Sequence, residues 1–332
     1  MKTLRMNNEP YINTYNIYGT TCSIASHDSR IWPWIYNNFI QIRYVPDWNS
    51  YFFDNHHLIF DTCPLYSKYR IPRSMLQMKW NSIKEFIIES IDLNLYVYLY
   101  IDRFHLSVSK SYKKNRNSLH EILIYGYDSD QEIFYVADNL LEGKYIRTEC
   151  TYNEIELGYM GVYSDNDFFT SVTLLEKRDE DFTFRVKQVK DLLQNYLTSK
   201  ETSDLAFKEE RIFGFEAWKS FYTNLIANQV IDRRAFHFFW EHKKVMTDRV
   251  RYLIDNEYIH KNYVNEALYA EFKKLEKNAL IIRNLALKYS VSKDDIHFSK
   301  LSNLTETTIE YEKSLVQSLI LSFENLTERE LS

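Results

Sequence analysis

The sequence predicts an α+β domain over residues 1–176 followed by an all-helical domain over 177–332. Three observations carry that division. Leu119–Asp128 and Ile133–Asn139 are two β-rich apolar runs separated by a short polar turn, the pattern of an antiparallel hairpin. Upstream of the hairpin, apolar residues recur at helical spacing. After Glu176 a charged stretch, Lys177–Asp181, opens a run that is helical in period almost to the end of the chain.

Taken in order, Tyr11–Ile24 is rich in Tyr, Ile and Thr and reads as a strand. Ile31–Tyr44 places Ile31, Trp34, Ile35, Phe39 and Ile42 at helical spacing. Pro33 fits such a helix only in its first turn, which sets the start near Asp28 or Ser29, both good N-caps. Ser74–Asp92 reads as a second helix, with Trp80, Ile83, Phe86, Ile87 and Ile91 on one face. Leu95–Ile101 is a strand, then comes the hairpin. Gly143–Thr148 reads as a strand, Tyr152–Met160 as a short helix and Phe168–Leu175 as a strand. In the second half the period predicts helices over 182–197, 215–227, 232–254, 263–289 and 304–326.

The bulk numbers exclude several classes. Hydrophobic content of 45% supports a packed core, and six Gly with five Pro rule out low-complexity or collagen-like chains. A net charge of −5 argues against a nucleic-acid footprint, so Lys110–Lys114 reads as a solvated loop. Cys22, Cys63 and Cys150 show no CxxC spacing, so no thiolate metal site and no cofactor is expected, and three is a poor count for a disulfide framework. No apolar run reaches the ~18 residues of a membrane span, and Met1–Pro10 lacks an apolar leader core. The expected compartment is the cytoplasm.

The hairpin carries the chemistry. His120 precedes the first strand and Asp138 follows the second, so folding the hairpin brings its open ends together. A carboxylate there fixes the tautomer of a histidine base. Such a pair needs a nucleophile, and Cys22, Ser29 or Asp28, and Cys63 are the candidates.

The order of a front helix, the strand Tyr96–Asp102, His120 before Ile-Leu-Ile-Tyr-Gly-Tyr-Asp, and then Val-Ala-Asp resembles the N-terminal domain of the butirosin biosynthesis protein H family. The likeness covers residues 15–175. It implies a papain-like, peptidase C39-like domain in antibiotic biosynthesis, with an acyltransferase acting on a carrier-bound thioester or an amide. It also implies a Cys–His–Asp triad: His120 and Asp138 match the motif as base and orienting acid, whereas no cysteine stands at the expected front-helix start and Cys22, several residues upstream, is the candidate nucleophile. The expected partner is an acyl or peptidyl carrier protein or a peptide synthetase. The alternative is an inactive papain-like binding module of a peptide synthetase system. In the second half, Arg233, Arg234, Lys243 and Lys244 read as a solvated face or as a cationic surface for an acidic carrier domain, and Glu241, Lys244 and Asp248 as water-facing.

Overall fold

A computed structural model describes residues 1–141, 143–164, 166–202 and 209–324. Numbered in chain order, the first elements are β1 (Lys2–Thr3), α1 (Asn16–Ala25), α2 (Ile31–Asn38), β2 (Ile42–Val45), β3 (Ser50–Phe53), α3 (Ile59–Thr62) and β4 (Tyr66–Ile71). They are followed by α4 (Arg73–Gln77), α5 (Ile83–Asp92), β5 (Leu95–Asp102), β6 (Leu119–Asp128), β7 (Ile133–Leu141), β8 (Lys144–Thr151), α6 (Tyr152–Met160), α7 (Asp167–Thr170) and β9 (Val172–Lys177). The rest is α8 (Val186–Leu197), β10 (Ile212–Phe213), α9 (Gly214–Asn228), α10 (Arg233–Asp255), α11 (Tyr263–Ser292) and α12 (Asp295–Glu324). Among the described residues, no helix is long and apolar enough to cross a membrane.

The chain forms two compact units: Met1–Ile31 with Leu58–Phe182, and Trp32–His57 with Thr183–Ser332. A single cut after 176 therefore misses Trp32–His57, which joins the second unit because β2 pairs with both β3 and β10.

The first unit is α+β. Its antiparallel sheet runs β4-β9-β5-β6-β7-β8, with β1 added against β6. Strand alternation sends Val97, Leu99 and Ile101 of β5 into a core with Ile122, Ile124, Phe134 and Val136, where Ile83, Phe86, Ile87 and Ile91 of α5 pack. Each such α5 side chain contributes about 1.5–3 kcal/mol of burial. Ser82 caps α5 by accepting from the Glu85 amide, so the helix starts there rather than at Ser74. Alternation puts Tyr96, Tyr98 and Tyr100 on the other face. There α1 packs against β6 and β7.

The segment expected to be a strand is thus the helix α1. Nine of its ten residues are buried, so tertiary packing overrides the β-propensity of its Tyr, Ile and Thr. Thr20 and Thr21 are accommodated by bonding back one turn, to Asn16 Oδ1 and the Ile17 carbonyl, each at 2.8 Å. The next helix spans only Ile31–Asn38, because the chain turns into strand β2 at Ile42.

The second unit holds α2, α8–α12 and the three-stranded sheet β10-β2-β3, so it is not all-helical. Its core is aromatic: Trp218, Phe221, Phe238 and Phe239 pack with Tyr51 and Phe53. Arg249, fully buried, donates to the carbonyls of Tyr36 (2.7 Å) and Phe39 (2.6 Å), satisfying the end of α2. Glu241 and Lys243 are buried rather than water-facing, so no cationic surface includes Lys243. The chain beyond 324, including 325–326 of the expected last helix, lies outside the described residues.

Candidate active site

The site lies at the ends of β5, β6 and β7 and the start of α1. In the β5–β6 ladder Ile101 is opposite His120 and Asp102 opposite Leu119, which sets Arg103 beside His120. Asp138 lies on the neighbouring strand β7 and is fully buried.

Asp138 is saturated with donors. Its Oδ1 accepts from Asn16 Nδ2 at 2.9 Å and the Asn139 amide at 2.5 Å, and it lies 3.0 Å from His120 Nδ1. Its Oδ2 accepts from Arg103 Nε at 3.1 Å and Nη2 at 2.5 Å. A buried carboxylate needs such partners, and Arg103 supplies the countercharge.

His120 Nδ1 has three polar atoms within hydrogen-bond distance: Asp138 Oδ1, the Glu121 carbonyl at 3.1 Å and Arg103 Nη2 at 2.8 Å. The Asp138 carboxylate beside Nδ1 favours the tautomer protonated there. Arg103 Nη2 has two hydrogens, and Asp138 Oδ2 and the Asn139 carbonyl (3.2 Å) accept both. Nδ1–H then donates to Asp138, which leaves Nε2 for proton exchange. Among the described residues none bonds Nε2, and the side chain is 31% exposed.

Burial pulls the His120 pKa down and Arg103 pulls the same way. The charge and hydrogen bond of Asp138, helped by Glu121, outweigh them and hold it above the ordinary value. Glu121 Oε2 lies 3.6 Å from His120 Nδ1, and Glu121 Oε1 accepts from the Tyr100 hydroxyl at 2.8 Å. Phe168 and Phe169 pack on the Tyr100 ring.

The structure brings His120 and Asp138 together but not Cys22. Helix α1 begins at Asn16, and Cys22 follows six residues later, roughly 9 Å along the axis. Its electrostatic neighbours are Cys63, Tyr66 and Tyr145, and it is 1% exposed. Cys63 and Cys150 are also buried, and burial pushes both thiols well up, away from the thiolate. Asp28 is held by Arg30 in a two-point pair (2.8 and 2.6 Å), which lowers its carboxyl to about 2, and Ser29 is exposed beside it.

The residue at the start of α1 is Asn16. Its amide is fully occupied: Nδ2 donates to Asp138 Oδ1 and to the Glu121 carbonyl at 2.5 Å, and Oδ1 accepts from Thr20. Asn16, Arg103, Glu121 and Tyr100 were all missed in the sequence. The available signals were the i, i+4 pair Asn16–Thr20 and the position of Arg103 directly after the strand opposite His120.

Among the described residues, no group of three or more His, Cys, Asp or Glu is placed to hold a metal ion. The chain matches no protein-family model, and no curated protein matches it.

Proposed function

We propose that the first unit is a papain-like module of the butirosin H type that works in natural-product biosynthesis by binding a partner, without forming an acyl-enzyme. The partner class is a carrier protein or peptide synthetase, or the modified peptide such a system makes. One observation carries the reading: Asn16, not a cysteine, begins α1 and lies on Asp138. An acyl-transfer enzyme needs a thiol or hydroxyl within hydrogen-bond reach of its base. Arg103 adds a second cation to the same carboxylate, bonding Asp138 Oδ2 while His120 faces Oδ1, and it opposes protonation of the imidazole.

Acyl transfer through Cys22 is the second reading. It is favoured by the orientation and partial exposure of His120. Incubation with an acyl-N-acetylcysteamine thioester, followed by intact-mass analysis after acid quench, separates the two. The binding reading expects no acyl adduct on the wild type. An adduct that disappears in Cys22→Ala would replace it with the enzyme reading.

A further inference from the structure

The loop between β5 and β6 leaves from Arg103 and returns at His120. Over 103–120 it carries Arg103, Lys110, Lys113, Lys114 and Arg116 and no Asp or Glu, in a chain whose net charge is −5. It is organised from below by Asp102, which is 3% exposed. Asp102 Oδ1 accepts from the amides of Phe104 and Ser118, and Oδ2 from that of Asn117, all at 3.0 Å. The Lys113 amide donates to the Phe104 carbonyl at 2.9 Å, and the Ser111 and Ser118 hydroxyls meet at 2.9 Å. The cations are therefore presented on a built loop rather than on a free tail.

Two of them are also placed by aromatic rings. Arg116 lies over Phe104, 5.2 Å from the centroid, and Lys113 Nζ over Tyr112 at 4.9 Å. Among the described residues, no carboxylate is within ion-pair distance of Lys113, Lys114 or Arg116, and all three are exposed. This basic stretch runs directly into the strand that carries His120.

We propose that the Lys110–Arg116 loop is the docking surface for an acidic segment of a partner protein, seated beside His120. The inference rests on the binding-module reading and names the partner's chemistry. Carboxylates suit an exposed guanidinium and ammonium groups at short spacing. A nucleic acid fits less well. A long polyanion would run past these few residues onto the surface of a net-acidic protein, which repels it.

Fluorescence anisotropy with a labelled oligoglutamate peptide tests the proposal on the full chain. Lys113→Glu/Lys114→Glu/Arg116→Glu is compared with a control carrying the same charge change at exposed Lys187, Lys288 and Lys293. The expected result is salt-sensitive binding to the wild type and the control, weakened on the order of tenfold or more in the loop variant. A matched oligolysine peptide should not bind. Absent oligoglutamate binding, equal loss in both variants, or no loss in the loop variant would overturn it. Tighter binding of single-stranded DNA of equal charge would overturn it in favour of nucleic acid. An acyl adduct in the thioester experiment would sink the binding-module reading while leaving this comparison readable.

Discussion

Asn16 Nδ2 lies 2.9 Å from Asp138 Oδ1, so the first residue of α1 is bonded to the carboxylate that orients His120. In a papain-type enzyme the helix start presents a nucleophile to the histidine, where the helix dipole assists its ionisation. Here the position carries an amide whose hydrogens are both spent. His120 and Asp138 are in contact, and the residue at the start of α1 is an asparagine rather than a cysteine.

Arg103 is the counter-ion of a carboxylate with no exposed surface. Arg103→Met leaves Asp138 buried with neutral donors and His120 only. The expected loss is about 3–5 kcal/mol of unfolding free energy in urea titration, the range for breaking a buried pair on one side. A loss well under 1 kcal/mol would show that Asn16, His120 and the Asn139 amide suffice.

The raised pKa of His120 has a defined pH signature. The folded state binds this proton more tightly than the unfolded chain, whose value is near 6.5. The stabilisation is complete below about pH 6.5 and fades as pH rises through the folded value. Urea midpoints of wild type and His120→Gln should differ most on the acid side and converge above the folded value. Arg103→Gln should move the His120 NMR titration upward, because Arg103 opposes the proton.

In the second unit Lys243 Nζ lies 2.7 Å from Glu312 Oε2 with both side chains fully buried, and the ammonium sits over Trp218 and Phe239 at 4.1 and 4.3 Å. Burial lowers Lys243 to about 8 against the opposing pull of Glu312. Lys243→Met alone should cost about 3–5 kcal/mol, whereas Lys243→Met/Glu312→Leu should recover most of it. A thermal-unfolding double-mutant cycle measures the coupling. Equal losses in the single and double variants would mean that the pair itself, not the orphaned carboxylate, carries the stability.

A side chain at Gly19 would overlap the Tyr145 ring, because α1 approaches β8 closely there. Gly19→Val should destabilise by about 1–3 kcal/mol through overpacking. Gly19→Val/Tyr145→Ala should be less affected by the valine. Unfolding midpoints that place the valine cost equally in both backgrounds would remove Tyr145 as the reason for the glycine.

Much of the first unit was legible where the pattern is local. The β6–β7 hairpin, α6 with its Thr151–Glu154 capping box and β5 follow from alternation, turns and caps. The start of α1 was not, because Tyr15 offers no side-chain cap and a helix buried nearly all round shows no amphipathic period. That one misreading set the front helix at Asp28 and left Cys22 as the expected nucleophile. Lys243 was misread for a related reason: a charged side chain on a helix looks water-facing until its partner, Glu312, arrives from a distant helix. The His120–Asp138 contact was legible because a hairpin fixes it, whereas Arg103 and Asn16 reach Asp138 from separate elements.

The most direct test of the proposed binding role is the labelling rate of each thiol by a small electrophile, followed by intact-mass spectrometry across pH. Wild type, Cys22→Ala, His120→Ala, Asn16→Cys and Asn16→Cys/His120→Ala are compared. The structure predicts slow labelling of the three native cysteines, indifferent to His120. It also predicts a fast new site in Asn16→Cys that slows when His120 is removed. Fast wild-type labelling near neutral pH, lost in both Cys22→Ala and His120→Ala, would contradict the account and restore Cys22 as the nucleophile.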